Sequence, residues 1–91
     1  MVEKCFPKDP DAVLDFGIDW TEWLEDNELI TVHAITAEVG ITVDSNSETD
    51  GVVTIWLSGG TAGTAYNIAC KITTDAGRTE ERSILIRCEE R

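Results

Sequence analysis

The sequence predicts an all-β fold, an immunoglobulin-like antiparallel β-sandwich of about 6–8 strands with an extended N-terminal arm. Short segments of alternating apolar residues recur along the chain, and turns rich in Gly and Asp separate them. No amphipathic pattern of helical period is longer than two turns. The 91 residues fit one domain, so we assign residues 1–11 to the arm and residues 12–91 to the sandwich.

The arm is predicted from its two prolines. Pro7 and Pro10 lack backbone donors and restrict the residues that precede them. We expect residues 1–11 to need a partner surface in order to be ordered, and we expect their deletion to spare the fold. The opening residues also lack the apolar run of a signal peptide, and no segment of the chain approaches the ~18 apolar residues of a membrane span.

The segment from residue 12 to residue 24 fits two patterns. Leu14, Phe16 and Ile18 alternate as they would in a strand, whereas Trp20 and Trp23 have a spacing that also occurs in a helix. We favour a strand that ends at Ile18 and is followed by a turn.

The middle of the chain predicts two more strands and a loop. Residues 29–39 alternate along their length, and residues 41–43 form a short β-branched run. Residues 44–51, with the sequence DSNSETDG, are dense in turn formers and are predicted to be an exposed loop.

The second half of the chain carries the clearest strand signals. Residues 52–57 are β-branched and aromatic, residues 65–74 have apolar side chains at every second position, and a turn at residues 75–78 leads into a returning strand. Four isoleucines are predicted to form the core. They are Ile68, Ile72, Ile84 and Ile86.

Tyr66 follows a Gly-Thr turn in the sequence GTAY and heads the alternating strand. This position resembles the corner tyrosine of immunoglobulin-like and fibronectin-type domains, whose hydroxyl group bonds to the backbone a few residues upstream. We expect Tyr66 to be that residue.

The chain is acidic, and the charge is uneven. The formal net charge is −11, and residues 1–51 hold 13 acidic side chains against only Lys4 and Lys8. Such a surface repels polyanions, so we expect neither nucleic acid nor anionic membrane as a partner. The acidic half would suit a basic or polar partner, although the acids could equally serve only to keep the protein soluble.

The sequence offers no catalytic constellation. His33 is the only histidine, and neither a serine elbow nor a cysteine signature accompanies it. Residues 46–51 imitate the start of a calcium loop, but Leu57 stands where the bidentate acid should be. Carboxylate pairs are not spaced around a pocket. We therefore predict no enzyme activity, no cofactor and no metal.

The three cysteines lack the paired spacing of a zinc site, and one of them would remain unpaired in any monomeric disulfide scheme. A reduced compartment is therefore the simpler assumption. Cys70 and Cys88 fall on the predicted inward faces of neighbouring strands, where free cysteine packs as a small apolar residue. Cys5, in the arm, is the thiol that we expect to react.

Aromatic residues are concentrated near the N-terminus, and large aromatics dominate both cores and interface hot spots. Core burial is the competing interpretation for all three tryptophans, Trp56 included. The candidate partner interface consists of Phe6, Phe16, Trp20 and Trp23.

Two long segments carry a family resemblance. The first segment is KDPDAVLDFGIDWTEWL, at residues 8–24, and the second is the whole of residues 52–91, from VVTIWL to RCEER. Both resemble small structural proteins of tailed bacteriophages, the phage fiber-tail adaptor or head-tail region family. The resemblance implies a virion protein. Because the opening residues lack a signal peptide, we expect it to be made in the host cytoplasm. The resemblance also implies several copies on a symmetric assembly, with tail, connector or fiber subunits as partners. The residues between the two segments offer nothing to assign to the family.

Three functions remain open from the sequence. The first is an adaptor that links tail or connector to fibers, and the second is a capsid decoration or cement protein. The third is a carbohydrate-binding β-sandwich module, because small sandwiches often bind sugars through exposed tryptophans; the missing signal peptide counts against it.

Overall fold

The computed structural model describes residues 2–90, so residues 1 and 91, the outer ends of the predicted arm and sandwich, lie outside the described part. Seven strands form two facing sheets, with the orders β1-β7-β6-β3 and β2-β5-β4. The two-sheet all-β sandwich is confirmed, and the immunoglobulin-like assignment within it stays a prediction. The strands are β1 Val2–Lys8, β2 Leu14–Asp19, β3 Ile30–Ala37, β4 Ile41–Thr49, β5 Val52–Gly59, β6 Ala65–Thr74 and β7 Thr79–Cys88.

The hairpin of β6 and β7 supplies one wall of the core. In β6 every second side chain from Tyr66 to Thr74 is buried, as the alternation predicts. In β7 the inward residues Ile84, Ile86 and Cys88 are buried, and so is Ser83 beside them. The four isoleucines predicted for the core are each at most 2% exposed. β5 covers them from the other sheet. It contributes Val53, Ile55 and Leu57, all fully buried.

The N-terminal segment corrects one expectation. Residues 2–8 are extended, but they form β1, which pairs in parallel with this chain's own β7 from Val2 to Lys8. The expectation that this segment needs a partner surface to be ordered is wrong, because β7 supplies the backbone partners. The Lys8 side chain is fully buried, and its ammonium group donates to the carbonyl oxygens of Gly59, at 2.7 Å, and Asp9, at 3.0 Å.

The prediction of a loop at residues 44–51 is also wrong. β4 runs without a break from Ile41 to Thr49 and pairs with β5 across a bulge near Asp44, so the turn is only Asp50 and Gly51. β4 is an edge strand with most of its side chains exposed, and exposed edge positions take polar residues without loss of pairing. The residues typical of turns in this segment therefore reflect an exposed strand and not a loop.

The predicted corner at Tyr66 is confirmed. The ring is 5% exposed, and the backbone N–H of Thr61, five residues upstream, donates to the Tyr66 hydroxyl oxygen at 2.9 Å. The β5–β6 loop, which this hydrogen bond holds, is closely packed at Gly60. A Cβ atom at that position would lie 2.4 Å from the Cys88 sulfur. Gly60 also has φ +98°, a conformation that favours glycine.

The cysteines lie where the sequence predicts. Cys70 and Cys88 are fully buried in the core, Cys5 is exposed, and all three are free thiols. Burial raises the pKa of the Cys70 thiol, and the neighbouring Trp20 indole opposes that shift. Cys70 and Cys88 therefore pack as small apolar residues.

Candidate functional site

The structure divides the four predicted interface aromatics into two pairs. Phe6 and Phe16 pack with ring centroids 5.3 Å apart, where the edge strands β1 and β2 meet. Trp20 and Trp23 make an edge-to-face contact at 5.5 Å at the end of the sandwich that carries the β2–β3 loop. Phe16 and Trp20 are buried, whereas Phe6 and Trp23 are half-buried. Only the last two retain surface that a partner could touch.

The β2–β3 loop, residues 20–29, contains no helix and is held by a charged cluster. Glu28 is 7% exposed, and its carboxylate accepts hydrogen bonds from Arg78 Nε at 2.9 Å and Nη2 at 2.5 Å. The Thr74 hydroxyl and the Glu25 backbone N–H donate to the same carboxylate, at 2.5 and 2.8 Å. The loop is thereby fixed to the β6–β7 turn.

The electrostatics of this cluster follow from its donors. The pKa of Glu28 is lowered to about 2, mainly by the hydrogen bonds from Arg78. The hydrogen bonds from Thr74 and the Glu25 N–H also lower this pKa, whereas desolvation by burial raises it. The Glu28 carboxylate in turn raises the pKa of Arg78. The pair is therefore charged at neutral pH, and its hydrogen bonds link the loop to the β6–β7 turn.

Two arginines stack on the two tryptophans. The Arg78 guanidinium lies 3.9 Å from the Trp23 ring centroid and donates to the Trp23 carbonyl oxygen, and Arg82 lies 4.4 Å from the Trp20 ring. Leu29, at the end of the same loop, is 63% exposed. We define the loop-end surface as the apolar residues Trp23, Leu24 and Leu29 together with the exposed acids Glu22, Glu25 and Asp26.

The sequence analysis missed one residue, Trp56. It lies on β5, the central strand of the three-stranded sheet, and is 41% exposed on the outward face. The signal was present in the sequence. Val53, Ile55 and Leu57 alternate on one face of the strand, and that places Trp56 on the other.

Among the side chains that the structure describes, no group of three or more His, Cys, Asp or Glu residues could hold a metal ion. His33 lies half-buried on the edge strand β3. No helix within residues 2–90 is long and apolar enough to cross a membrane.

The structure is thus a small two-sheet β-sandwich in which Trp56 is exposed and Phe6 and Trp23 are half-buried. The comparison with protein families gives a specific match, to Podophage GP4 fiber-tail adaptor protein gp77, over residues 8–87. The chain therefore belongs to this family of phage fiber-tail adaptor proteins, as the resemblance in the two segments predicted. No curated protein matches the chain.

Proposed function

We propose that the chain is a non-enzymatic structural protein of the virion that joins tail or connector subunits to fibers. The observation that carries this proposal is the family match, which spans the sandwich from Lys8 to Arg87. Several copies on a symmetric assembly would present the same surfaces repeatedly. Neither nucleic acid nor membrane is expected as a partner, because the net charge of −11 opposes both.

The loop-end surface is the first docking position of the proposed adaptor. Trp23 and Leu29 supply apolar contact area, and the exposed acids around them form a polar rim, an arrangement common in protein interfaces. The Glu28–Arg78 pair and the contacts of Trp23 with Trp20 and Arg78 hold the loop in place before it binds. A restrained loop loses less conformational entropy on docking than a mobile one.

The partly exposed Phe6 is the second remaining candidate from the sequence prediction. Its ring packs on Phe16 and belongs to β1, so a partner that contacts it would also meet an edge of the four-stranded sheet. Deletion of residues 1–11 is a poor test of this contact. It would remove β1, bare the β7 edge and eliminate the buried Lys8.

Point variants test the proposal better than deletion of residues 1–11 does. A phage that lacks the protein would be complemented with the wild type, Leu29→Ala or Trp23→Ala, and the copies on purified tails would be counted by mass spectrometry. We expect both variants to fold and to be incorporated in reduced number. Leu29→Ala is the cleaner variant, because its side chain is mostly exposed.

Val39→Ala is the matched control, since Val39 is fully exposed in the β3–β4 turn at the opposite end of the sandwich. It should be incorporated normally. Full occupancy and normal infectivity with both loop-end variants would contradict the assignment of this surface. Absence of the wild-type protein from purified tails would contradict the adaptor role itself.

A further inference from the structure

The outward face of the three-stranded sheet has a tryptophan at its centre. Residues directly opposite each other in a sheet share a face, and Trp56 lies opposite Asp15 on β2 and Ser45 on β4. Asp44, at the β4 bulge, accepts a hydrogen bond from the Ser58 hydroxyl at 2.9 Å, so its carboxylate lies on this face as well. Gly17, two residues further along β2 and therefore the next position on the same face, has no side chain to cover the indole.

This face carries negative charge without a cation of its own. None of β2, β4 and β5 contains lysine or arginine, and the sequence has neither between residues 9 and 70. Two cations from the other sheet reach the ends of this one. Lys8 is buried against the Gly59 carbonyl, and Arg82 is held by the Asp19 carbonyl and the Trp20 ring.

We infer that the outward face around Trp56 is a docking surface for a basic partner protein, which places an arginine on the indole and against Asp15. Arginine fits best because a planar guanidinium can stack on an aromatic face while it pairs with a carboxylate. The chain builds the same combination at its loop end, where Arg78 stacks on Trp23 and pairs with Glu28. At Trp56 the tryptophan and the acids are present, and the arginine would come from the partner.

The inference extends the proposed adaptor role. An adaptor needs two surfaces, and the Trp56 face belongs to a different part of the sandwich from the loop-end surface. The two surfaces can therefore engage different subunits. Charge complementarity would speed the encounter and make it sensitive to salt.

The test uses the isolated full chain and a defined probe. A synthetic peptide that alternates Gly and Arg is titrated into ¹⁵N-labelled protein, and the indole N–H resonances of the three tryptophans are followed by NMR. We expect the Trp56 resonance to shift and saturate while that of the buried Trp20 stays in place. A peptide with Glu in place of Arg should leave both unchanged, and raising the salt concentration should weaken the effect of the Arg peptide.

Variants assign the contact to its residues. Trp56→Ala should weaken binding of the Arg peptide about fivefold or more, Trp56→Phe should retain part of it, and Asp15→Asn should weaken it by about twofold to fivefold. Because all these side chains lie on the outer face, we expect the variants to fold. Val39→Ala, in the β3–β4 turn and outside both proposed surfaces, is the control and should bind as the wild type does.

Three results would overturn the inference. They are a shift of Trp23 instead of Trp56, equal binding by Trp56→Ala, and a Trp56 shift caused by a neutral oligosaccharide but not by the Arg peptide. Because the assay needs no virion, it can fail while the protein is still found on tails. Equally, the peptide can bind even if the protein is absent from tails.

Discussion

Replacement of Tyr66 by phenylalanine should destabilise the sandwich by a predictable amount. The change removes only the hydroxyl group that accepts the Thr61 N–H at 2.9 Å, and the ring stays in the core, so no cavity forms. Thr61 is exposed, and water can take over its N–H. The loss is therefore that of one ordinary hydrogen bond, about 1 kcal/mol. For a domain of this size we expect the melting temperature to fall by about 4–8 °C.

Thermal and urea unfolding followed by circular dichroism would measure the effect of Tyr66→Phe. Thr36→Val is the control, since it removes an exposed hydroxyl from β3 and should change stability by less than about 0.5 kcal/mol. An unchanged melting temperature for Tyr66→Phe would refute the role of the corner. An equal loss in both variants would show that the effect does not depend on the Thr61 hydrogen bond.

Three further predictions concern thiols, pH and backbone strain. Without denaturant, Cys5 should be alkylated readily, whereas Cys70 and Cys88 should resist, as mass spectrometry of the labelled protein would show; equal rates would contradict their burial. Because the folded-state pKa of Glu28 is about 2 against an ordinary 4.5, its stabilising contribution should be complete above pH 4.5 and be lost as the pH falls toward 2. Urea midpoints of wild type and Glu28→Gln should therefore converge in acid, and a constant difference would count against the shift. Gly60→Ala should lower the unfolding midpoint by more than Tyr66→Phe does, because of its positive φ and the Cys88 sulfur; an equal or smaller loss would show that the loop relaxes.

The sequence predicts the second half of the fold well because period-two alternation decides both the element and its buried face. In β6 the alternation continues without interruption from Tyr66 to Ile72, and each of those apolar side chains is buried. The composition of residues 44–49 favours a loop, although these residues continue β4, because their pairing depends on β5, which composition does not encode. The sequence of β1 favours a separate arm for the same reason, since its partner β7 lies at the other end of the sequence.

The candidate surfaces were only partly predictable. The concentration of aromatics near the N-terminus pointed to the loop end, but burial of Phe16 and Trp20 depends on neighbours that are distant in sequence. The Glu28–Arg78 pair joins residues 50 positions apart, and no local pattern indicates it. Trp56, in contrast, could have been found from alternation alone.

We propose that this sandwich connects tail and fiber. A cryo-EM map of the intact particle tests it most directly, because the seven-stranded sandwich can be placed by its shape and its two sheets. We expect several symmetry-related copies at the tail, each in contact with a tail or connector subunit and with a fiber. Copies seated between capsid subunits, away from the tail, would contradict it and would identify a decoration protein instead.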